Sequence, residues 1–152
     1  MDKQAQYKEL HGQIKALTEN ETYLMARLST TTCVLNEAFE DFFWIGFYMV
    51  DPLKPEELVV GPYQGTLGCL RIPFGKGVCG TSAQNRETII VEDVHQFPGH
   101  IACDSRSNSE IVVPFYDQDS NLIAVLDVDS TRFGAFDEID KQGLEAICKL
   151  LA

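Results

Sequence analysis

The segment DVHQFPGHIACDSRSNSEIVVP, residues 93–114, joins a long irregular loop to a buried strand. Its first part is too polar and too rich in proline and glycine for a helix, and it ends in an apolar run typical of a strand. Long irregular loops are uncommon in compact domains, and those that exist tend to be functional or disordered. This loop holds His100, Cys103, Arg106 and Glu110 within eleven residues. We therefore predict that it carries chemistry centred on Cys103.

Two helices are predicted at the start of the chain. Residues 3–17 have the pattern of an amphipathic helix interrupted by Gly12. Thr18 and Glu21 match a capping box that would open a second helix, in which apolar residues recur at helical spacing. Cys33 stands among apolar residues of that helix, so we expect a small buried side chain there.

The aromatic and β-branched run Phe42–Val50 predicts a central strand, and residues 57–63 predict a second one. Trp44 and Tyr48 are four residues apart, so their side chains point to the same face of a regular strand. Such a pair either packs in the core or forms the wall of a pocket. From the strand alone the core is favoured, because most buried aromatic residues serve packing.

Residues 64–80 contain five glycines and lead into a short predicted helix. Glycines flanking Lys76 before a helix N-terminus suggest an anion site, although the spacing matches neither the P-loop nor the dinucleotide fingerprint. Cys79 lies near that N-terminus, and its thiol pKa would be lowered if the sulfur faced it. Cys69 falls in a short strand or loop.

The second half of the chain predicts three strands and a helix, at Thr88–Val91, Ser109–Phe115 and Leu122–Val128, and after Asp137. Asp127 and Asp129 interrupt the end of the last strand and point the same way. The apolar residues expected on one side of the terminal helix are Ile139, Leu144, Ile147 and Leu151, with Cys148 on or beside that side. This order of elements predicts an α+β fold, an antiparallel sheet with its helices together on one face.

Composition limits the function classes. The chain has 152 residues, enough for one domain with its own core, and a net charge of −11. That charge argues against binding to nucleic acid or to an anionic membrane, which needs clustered Lys and Arg. No apolar run is long enough to span a membrane and the N-terminus lacks a signal-peptide pattern, so we expect a cytoplasmic protein with reduced thiols.

Five cysteines then leave three kinds of chemistry. Zinc motifs such as CxxC are absent, and we expect neither a metal nor a cofactor. A cysteine hydrolase would need a base such as His95 or His100, but no local signature supports one. Thiol redox chemistry, in which a second cysteine resolves an oxidised first one, fits cysteines in loops better than either rival.

Five segments of the chain are characteristic of one enzyme family, and they are Gly61–Gly65, Gly77–Gly80, Phe97–Asp104, Ser109–Pro114 and Leu126–Ser130. In these segments, and from about residue 30 to the C-terminus, the chain resembles the free methionine-(R)-sulfoxide reductases, which are single GAF-domain enzymes. The departures are small, with Ala124 where glycine is expected and Gly68 where alanine is common. The resemblance implies one GAF-like domain over residues 1–152, with an N-terminal helical segment to about residue 30 and a catalytic body beyond it.

The resemblance also implies residue roles. Cys103 matches the nucleophile that becomes a sulfenic acid, and Cys69 matches the resolving cysteine that closes a disulfide reduced by a thioredoxin-type protein. The role of Cys79 stays open between substrate contact, alternative partner and back-up resolver. The residues that match the substrate pocket are Trp44, Tyr48, Glu110, Asp127 and Asp129. A homodimer is compatible with the sequence.

The acidic residues make chemical sense for this reaction. Carboxylates held close together repel one another, so one keeps its proton to higher pH and can protonate the departing oxygen. Glu110 and Asp127 are our candidates for that proton transfer, and the charged members of the cluster would bind the ammonium of a free amino acid. The alternative is a non-enzymatic GAF module that binds a small ligand or senses redox state through its disulfide. Arg106, His100 or backbone amides are candidates to offset the effect of these acids on the Cys103 thiolate.

Overall fold

A computed structural model describes residues 1–101 and 103–152 of the chain. The helices are α1 (Lys3–Thr18), α2 (Leu24–Ala38), α3 (Gly77–Asn85) and α4 (Glu138–Leu151). The strands are β1 (Trp44–Asp51), β2 (Lys54–Gln64), β3 (Arg71–Pro73), β4 (Ile89–Val91), β5 (Ser109–Tyr116) and β6 (Leu122–Ser130). Within the described residues, no helix is long and apolar enough to cross a membrane.

The strands form one sheet in the order β3-β2-β1-β6-β5-β4, and every neighbouring pair is antiparallel. Hairpins make the β1–β2 and β5–β6 pairs, and the second is closed by a turn in which the Asp117 side chain accepts from the backbone N–H of Asp119 and Asn121. The predicted α+β class with an antiparallel sheet is confirmed. The predicted loop of the 93–114 segment lies between the edge strand β4 and the buried strand β5.

Three helices cover one face of the sheet. Alternate residues of the central strands point to this face, and α1, α2 and α4 bury their apolar sides against them. The largest fully buried side chains here include Phe47 of β1, Phe115 of β5 and Leu126 of β6. This face holds the larger of the two apolar clusters.

Helix α3 packs on the opposite face, so the prediction that all helices share one face is wrong. Val78 and Ala83 of α3 pack with Trp44, Tyr48 and Val112 of the strands. The helix has only nine residues, and this face of the sheet is therefore only partly covered. The room that remains is where the candidate site lies.

The N-terminal helices begin and end differently from the prediction. Gly12 faces solvent and does not interrupt α1, because Tyr7, Leu10 and Ile14 anchor the helix on both sides of it. Thr18 does not cap α2, because it closes α1 and its hydroxyl donates to the Ile14 carbonyl.

Two further predictions, one about α2 and one about α4, are wrong. Cys33 is exposed, because the buried side of α2 is formed by Leu28, Leu35 and two threonines and Cys33 lies away from it. Ile139 is also exposed, since the buried side of α4 is formed by Asp140, Leu144 and the residues that follow at helical spacing. Cys148 lies on that packing side as expected.

Candidate active site

A disulfide joins the two cysteines for which the resemblance implied a bond. Cys69 lies in the loop between β2 and β3, and Cys103 lies in the loop before β5. Their Cα atoms are 5.4 Å apart, within the usual range for a disulfide. Cys69 is half-buried and Cys103 is exposed, so the bond is accessible from solvent.

Cys103 lines an open cavity of about 530 Å³, counting the space at its mouth. The other predicted site residues that line it are Trp44, Tyr48, Cys79, Glu110, Asp127 and Asp129. Cys69 lies beside the cavity through its bond to Cys103.

The register of the sheet places the three carboxyl groups together. Glu110 of β5 pairs with Asp129 of β6, which pairs on its other side with Trp44 of β1. In the adjacent row Asp127 of β6 lies opposite Gly46 of β1. β6 extends to Ser130, two residues beyond the predicted end, so Asp127 and Asp129 are buried strand residues and do not interrupt it.

Burial and mutual repulsion keep these carboxyl groups protonated to higher pH. Burial is the largest cause that raises the pKa of Glu110, and it raises the pKa of Asp127 and of Asp129 well above the ordinary range. Repulsion from the neighbouring carboxylates adds to the shift of both aspartates. Asp127 Oδ1 is buried and has no hydrogen-bond partner among the described residues.

Cys79 faces this acidic cluster. Its Sγ lies 3.8 Å from Glu110 Oε2. Burial, followed by the charges of Asp127 and Glu110, raises the pKa of the Cys79 thiol well above its ordinary value. Burial and the neighbouring carboxyl groups therefore outweigh any lowering of the Cys79 pKa by the helix N-terminus.

Stacked aromatic rings form another wall. The Trp44 ring lies between Tyr48 and Tyr63, with centroid distances of 5.5 and 5.0 Å. Its indole Nε1–H donates to the Thr66 carbonyl at 2.8 Å. A Cβ on Gly68 would come within 2.9 Å of the Trp44 ring, so glycine leaves room for the indole. Trp44 and Tyr48 thus belong to the apolar cluster of this face and also line the cavity.

The basic residues of the segment are placed differently from one another. His100 Nε2 lies 3.7 Å from Glu110 Oε1, and burial lowers the His100 pKa. His95 is exposed and bonds Asp93. The guanidinium of Arg106 binds the Asp104 carboxylate next to Cys103, so the positive charge of Arg106 is paired with that carboxylate.

The glycine-rich segment before α3 also reaches the cavity. Lys76, Gly77 and Val78 line it, so the candidate anion site and the acidic cluster open into the same space. The first turn of a helix leaves backbone N–H groups free to bind an anion. The cavity therefore offers both donors for a carboxylate and acceptors for an ammonium.

One group of side chains has the donor types of a metal site. Cys79 Sγ and carboxylate oxygens of Glu110 and Asp127 lie within 4.8 Å of one another. Thiolate and carboxylate are ligands that divalent cations such as zinc accept. The prediction of no metal gave little weight to ligands assembled from separate elements, as these three are, and it stays a prediction.

Thr66 and Asp104 are part of the site and were given no role by the sequence. The Thr66 hydroxyl donates to Asp104 Oδ2 at 2.8 Å, beside the disulfide. Asp104 stands next to Cys103 within the quoted motif, which is a usable signal. Thr66 carries no such signal, because nothing local pairs it with a residue 38 positions away.

The chain is similar to known proteins over nearly its whole length. A family model described as GAF domain matches residues 25–152. The chain is 52% identical over 149 residues to GAF domain-containing protein A of Dictyostelium discoideum, covering 98% of this chain and 92% of that protein. It is 46% identical over 147 residues to free methionine-R-sulfoxide reductase of Escherichia coli, covering 97% of this chain and 87% of that protein.

A solved structure is similar over nearly the whole chain. It is free methionine-R-sulfoxide reductase from Neisseria meningitidis in complex with its substrate, with a TM-score of 0.94 and 48% sequence identity. The match covers 99% of this chain and 89% of that chain. The chain therefore belongs to the GAF-domain family and, within it, to the family of the free methionine-R-sulfoxide reductases.

Proposed function

We propose that this protein reduces free L-methionine-(R)-sulfoxide to L-methionine through a cysteine sulfenic acid and a disulfide. The observation that carries the proposal is the Cys69–Cys103 disulfide beside a cavity lined by buried carboxyl groups and stacked aromatic rings. Similarity to reductases of this name supports the substrate class. A redox-sensing module would use the disulfide but would have no need of the cavity.

In the first step the Cys103 thiolate attacks the sulfoxide sulfur. The sulfoxide gains two electrons, its oxygen passes to Cys103 as a sulfenic acid, and methionine leaves. In the second step the Cys69 thiolate attacks that sulfenic sulfur, the disulfide forms, and the hydroxyl leaves as water with one proton.

Cys103 is the better nucleophile of the two cysteines that line the cavity. Cys79 is buried among carboxyl groups that raise its pKa, which keeps its sulfur protonated and unreactive. Cys103 lies at the exposed end of the cavity, where solvent stabilises a thiolate. The difference in burial therefore supports Cys103 as the attacking cysteine.

Asp127 is our choice for the proton donor. Burial and its two acidic neighbours favour its neutral form near pH 7, and its Oδ1 has no other partner among the described residues. A neutral carboxyl group can protonate the sulfoxide oxygen as the S–O bond breaks. Burial raises the pKa of Glu110 as well, and its carboxyl oxygens are acceptors for an ammonium.

Recognition of a free amino acid follows from two sets of polar groups that line the cavity. The ammonium would donate to carboxyl oxygens of Glu110 and Asp129, and the carboxylate would lie against Lys76 and the first turn of α3. The methyl and methylene groups would contact Trp44. A peptide-linked residue has neither charge, so it would lose both sets of contacts.

A thioredoxin-type dithiol protein is the proposed reductant, and its partner surface surrounds the disulfide. Leu67 and Leu70 flank Cys69 and are 79% and 73% exposed, and Ile101 lies two residues before Cys103. Exposed apolar side chains grouped around a reactive bond are typical of a protein contact. Such recycling requires a compartment that keeps dithiols reduced, so we also propose a cytoplasmic location. The homodimer stays a prediction.

The partner surface is tested by Leu70→Glu, with Leu53→Glu as its control. Leu53 is more exposed still, at 90%, and lies in the β1–β2 turn, away from the disulfide. We expect Leu70→Glu to lower kcat/KM for thioredoxin about 10-fold, the effect of about 1.4 kcal/mol at an interface. Turnover driven by dithiothreitol should not change. Equal losses with both reductants would contradict the surface.

The reductase is tested by single turnover of the pre-reduced protein with free L-methionine-(R)-sulfoxide. We expect one methionine formed and two thiols lost per chain, and no product from Cys103→Ser. Cys33→Ser is the matched control, because it removes an exposed cysteine far from the cavity and should react fully. N-acetylated methionine sulfoxide, which lacks the ammonium, should react much more slowly.

Two outcomes would contradict this proposal. If the wild-type protein forms no methionine, it is not a reductase of this substrate, and the redox-sensing alternative takes its place. If Cys103→Ser remains active, the nucleophile is another cysteine. An equal rate for the N-acetylated substrate would contradict the proposed ammonium contacts but not the reductase function.

A further inference from the structure

The two loops that carry the reactive cysteines are joined by a second link beside the disulfide. The Thr66 hydroxyl donates to Asp104 Oδ2 at 2.8 Å, with Thr66 three residues before Cys69 and Asp104 directly after Cys103. Both side chains are half-buried. A hydrogen bond to an ionised acceptor is about twice as strong as a neutral one, so this link is suited to hold the loops together.

Arg106 fixes the acceptor of this link. Asp104 Oδ1 accepts from the Arg106 backbone N–H at 2.9 Å and from its Nε at 3.1 Å, and Oδ2 accepts from Nη2 at 2.8 Å. The guanidinium in turn lies over the Phe43 ring, 4.9 Å from its centroid. These bonds lower the Asp104 pKa, so the carboxylate is ionised and oriented before Thr66 meets it.

The donor is fixed as well, by the aromatic wall of the cavity. The Thr66 carbonyl accepts from the Trp44 indole, and Trp44 belongs to the central strand β1. The Thr66 loop is therefore anchored to the sheet through its backbone and to the Cys103 loop through its side chain. Removing the hydroxyl alone leaves the anchor to Trp44 in place.

We propose that Thr66 and Asp104 are positioning residues that keep Cys69 within reach of Cys103 while the disulfide is open. This inference rests on the proposed function. After Cys103 has become a sulfenic acid, no covalent bond joins the two loops, and the Cys69 thiolate must find that sulfur. A link that holds the loops close raises the effective concentration of the thiolate and speeds closure of the bond.

The test separates formation of the sulfenic acid from its resolution. One equivalent of hydrogen peroxide oxidises the pre-reduced Cys103 thiolate to the sulfenic acid and releases hydroxide, whatever the natural substrate is. Loss of the second thiol then reports the disulfide, and trapping with dimedone reports sulfenic acid that is still unresolved. All variants carry Cys33→Ser, which removes the exposed free cysteine as a competing site.

Thr66→Val keeps the shape of the side chain and removes only the hydroxyl. We expect disulfide formation to slow about 10-fold, the effect of losing one charge-assisted hydrogen bond of about 1.4 kcal/mol, with a matching rise in dimedone adduct. Thr66→Ser should restore the rate of disulfide formation, and Asp104→Asn should lower this rate as Thr66→Val does. Thr88→Val is the matched control, because Thr88 donates to Glu145 at the same 2.8 Å, away from the cavity.

Three results would overturn the inference. The first is equal disulfide rates in Thr66→Val, Asp104→Asn and Thr88→Val, with thermal unfolding showing that all three are folded. The second is a single-turnover methionine rate that falls in step with disulfide formation, since the pair would then orient Cys103 for its attack. The third is a failure of Thr66→Ser to restore the rate. If the wild-type protein forms no methionine, the proposed reductase function is wrong. The peroxide experiment would still decide the role of Thr66.

Discussion

The two faces of the same sheet are built from alternate residues of the same strands and have opposite character. On the face covered by α1, α2 and α4, Phe47, Phe115 and Leu126 are fully buried among apolar neighbours. On the face covered by α3, the alternate residues of β5 and β6 include Glu110, Asp127 and Asp129, also buried. The strand period of two separates a face that stabilises the fold from a face that carries the reaction.

This division has an energetic reason. A buried carboxyl group without a counter-charge is costly, and the folded protein reduces the cost by raising the pKa of these groups. Each large side chain fully buried on the other face contributes about 1.5–3 kcal/mol. The three-helix face therefore offsets the cost of the acidic one, and mutations on the two faces should affect different quantities.

The largest effect is expected for Leu126→Ala on the three-helix face. Leu126 is fully buried in the apolar cluster between the sheet and the three helices, so its truncation leaves a cavity there. The free energy of unfolding should fall by about 2–5 kcal/mol, measured by urea denaturation. The activity per folded molecule should not change. A loss below about 1 kcal/mol would show that this face is not the main source of stability.

The next effect tests the opposite face with Asp127→Asn. This change keeps the shape of the side chain and removes the carboxyl proton, so kcat/KM for methionine sulfoxide should fall about 100-fold, the low end for a lost general acid. The free energy of unfolding should not fall. Asp119→Asn, in the exposed β5–β6 turn, is the control and should match the wild type. An unchanged kcat/KM in Asp127→Asn would assign the proton to another group.

Much of this two-faced design was predictable from the sequence, because it depends on alternation along strands. The pattern of Leu122–Val128 gives the strand and places Asp127 and Asp129 on one side of it. The predictions of the buried strand β5 and of the 117–121 turn are also confirmed, and each depends on the pattern of one element alone. The motif around Cys103 gave the family.

The features that could not be predicted from the sequence depend on contacts between separate elements. The thiol pKa of Cys79 follows its distance from carboxyl groups on two other strands, and not its place at a helix start. The exposure of Cys33 depends on which side of α2 meets the sheet. The link from Thr66 to Asp104 spans 38 residues, and no local pattern encodes it.

A smaller effect is expected in the pH dependence of stability. A carboxyl group with a raised pKa in the folded protein binds its proton more tightly there than in the unfolded chain. The contribution of these groups to stability is therefore full at low pH and falls as pH rises from about 4, the unfolded value, through the raised folded pKa. Asp127→Asn removes part of this fall, so relative to the wild type the variant should gain about 1 kcal/mol of stability between pH 5 and pH 8.

Denaturation by urea at several pH values between 5 and 9 measures this gain. Glu110 and Asp129 face the same space and retain their own shifts, so the slope should become smaller without vanishing. Asp119→Asn should run parallel to the wild type over the whole range. A variant that is less stable at pH 8 than at pH 5 by the full wild-type margin would contradict the raised Asp127 pKa.

The smallest effect compares one buried cysteine from each face, Cys79 and Cys148. Burial raises the pKa of the Cys148 thiol to about 12, so it is an inert part of the three-helix face. Both alanine variants should lose about 1 kcal/mol of stability, the typical cost of a small buried truncation. Only Cys79→Ala should raise KM, by a few-fold, because its sulfur touches Glu110. Both should still lose two thiols per single turnover, since Cys69 and Cys103 close the disulfide without them. If Cys79→Ala stops at one thiol lost, Cys79 is the resolving cysteine, and the acidic face supplies a second redox centre.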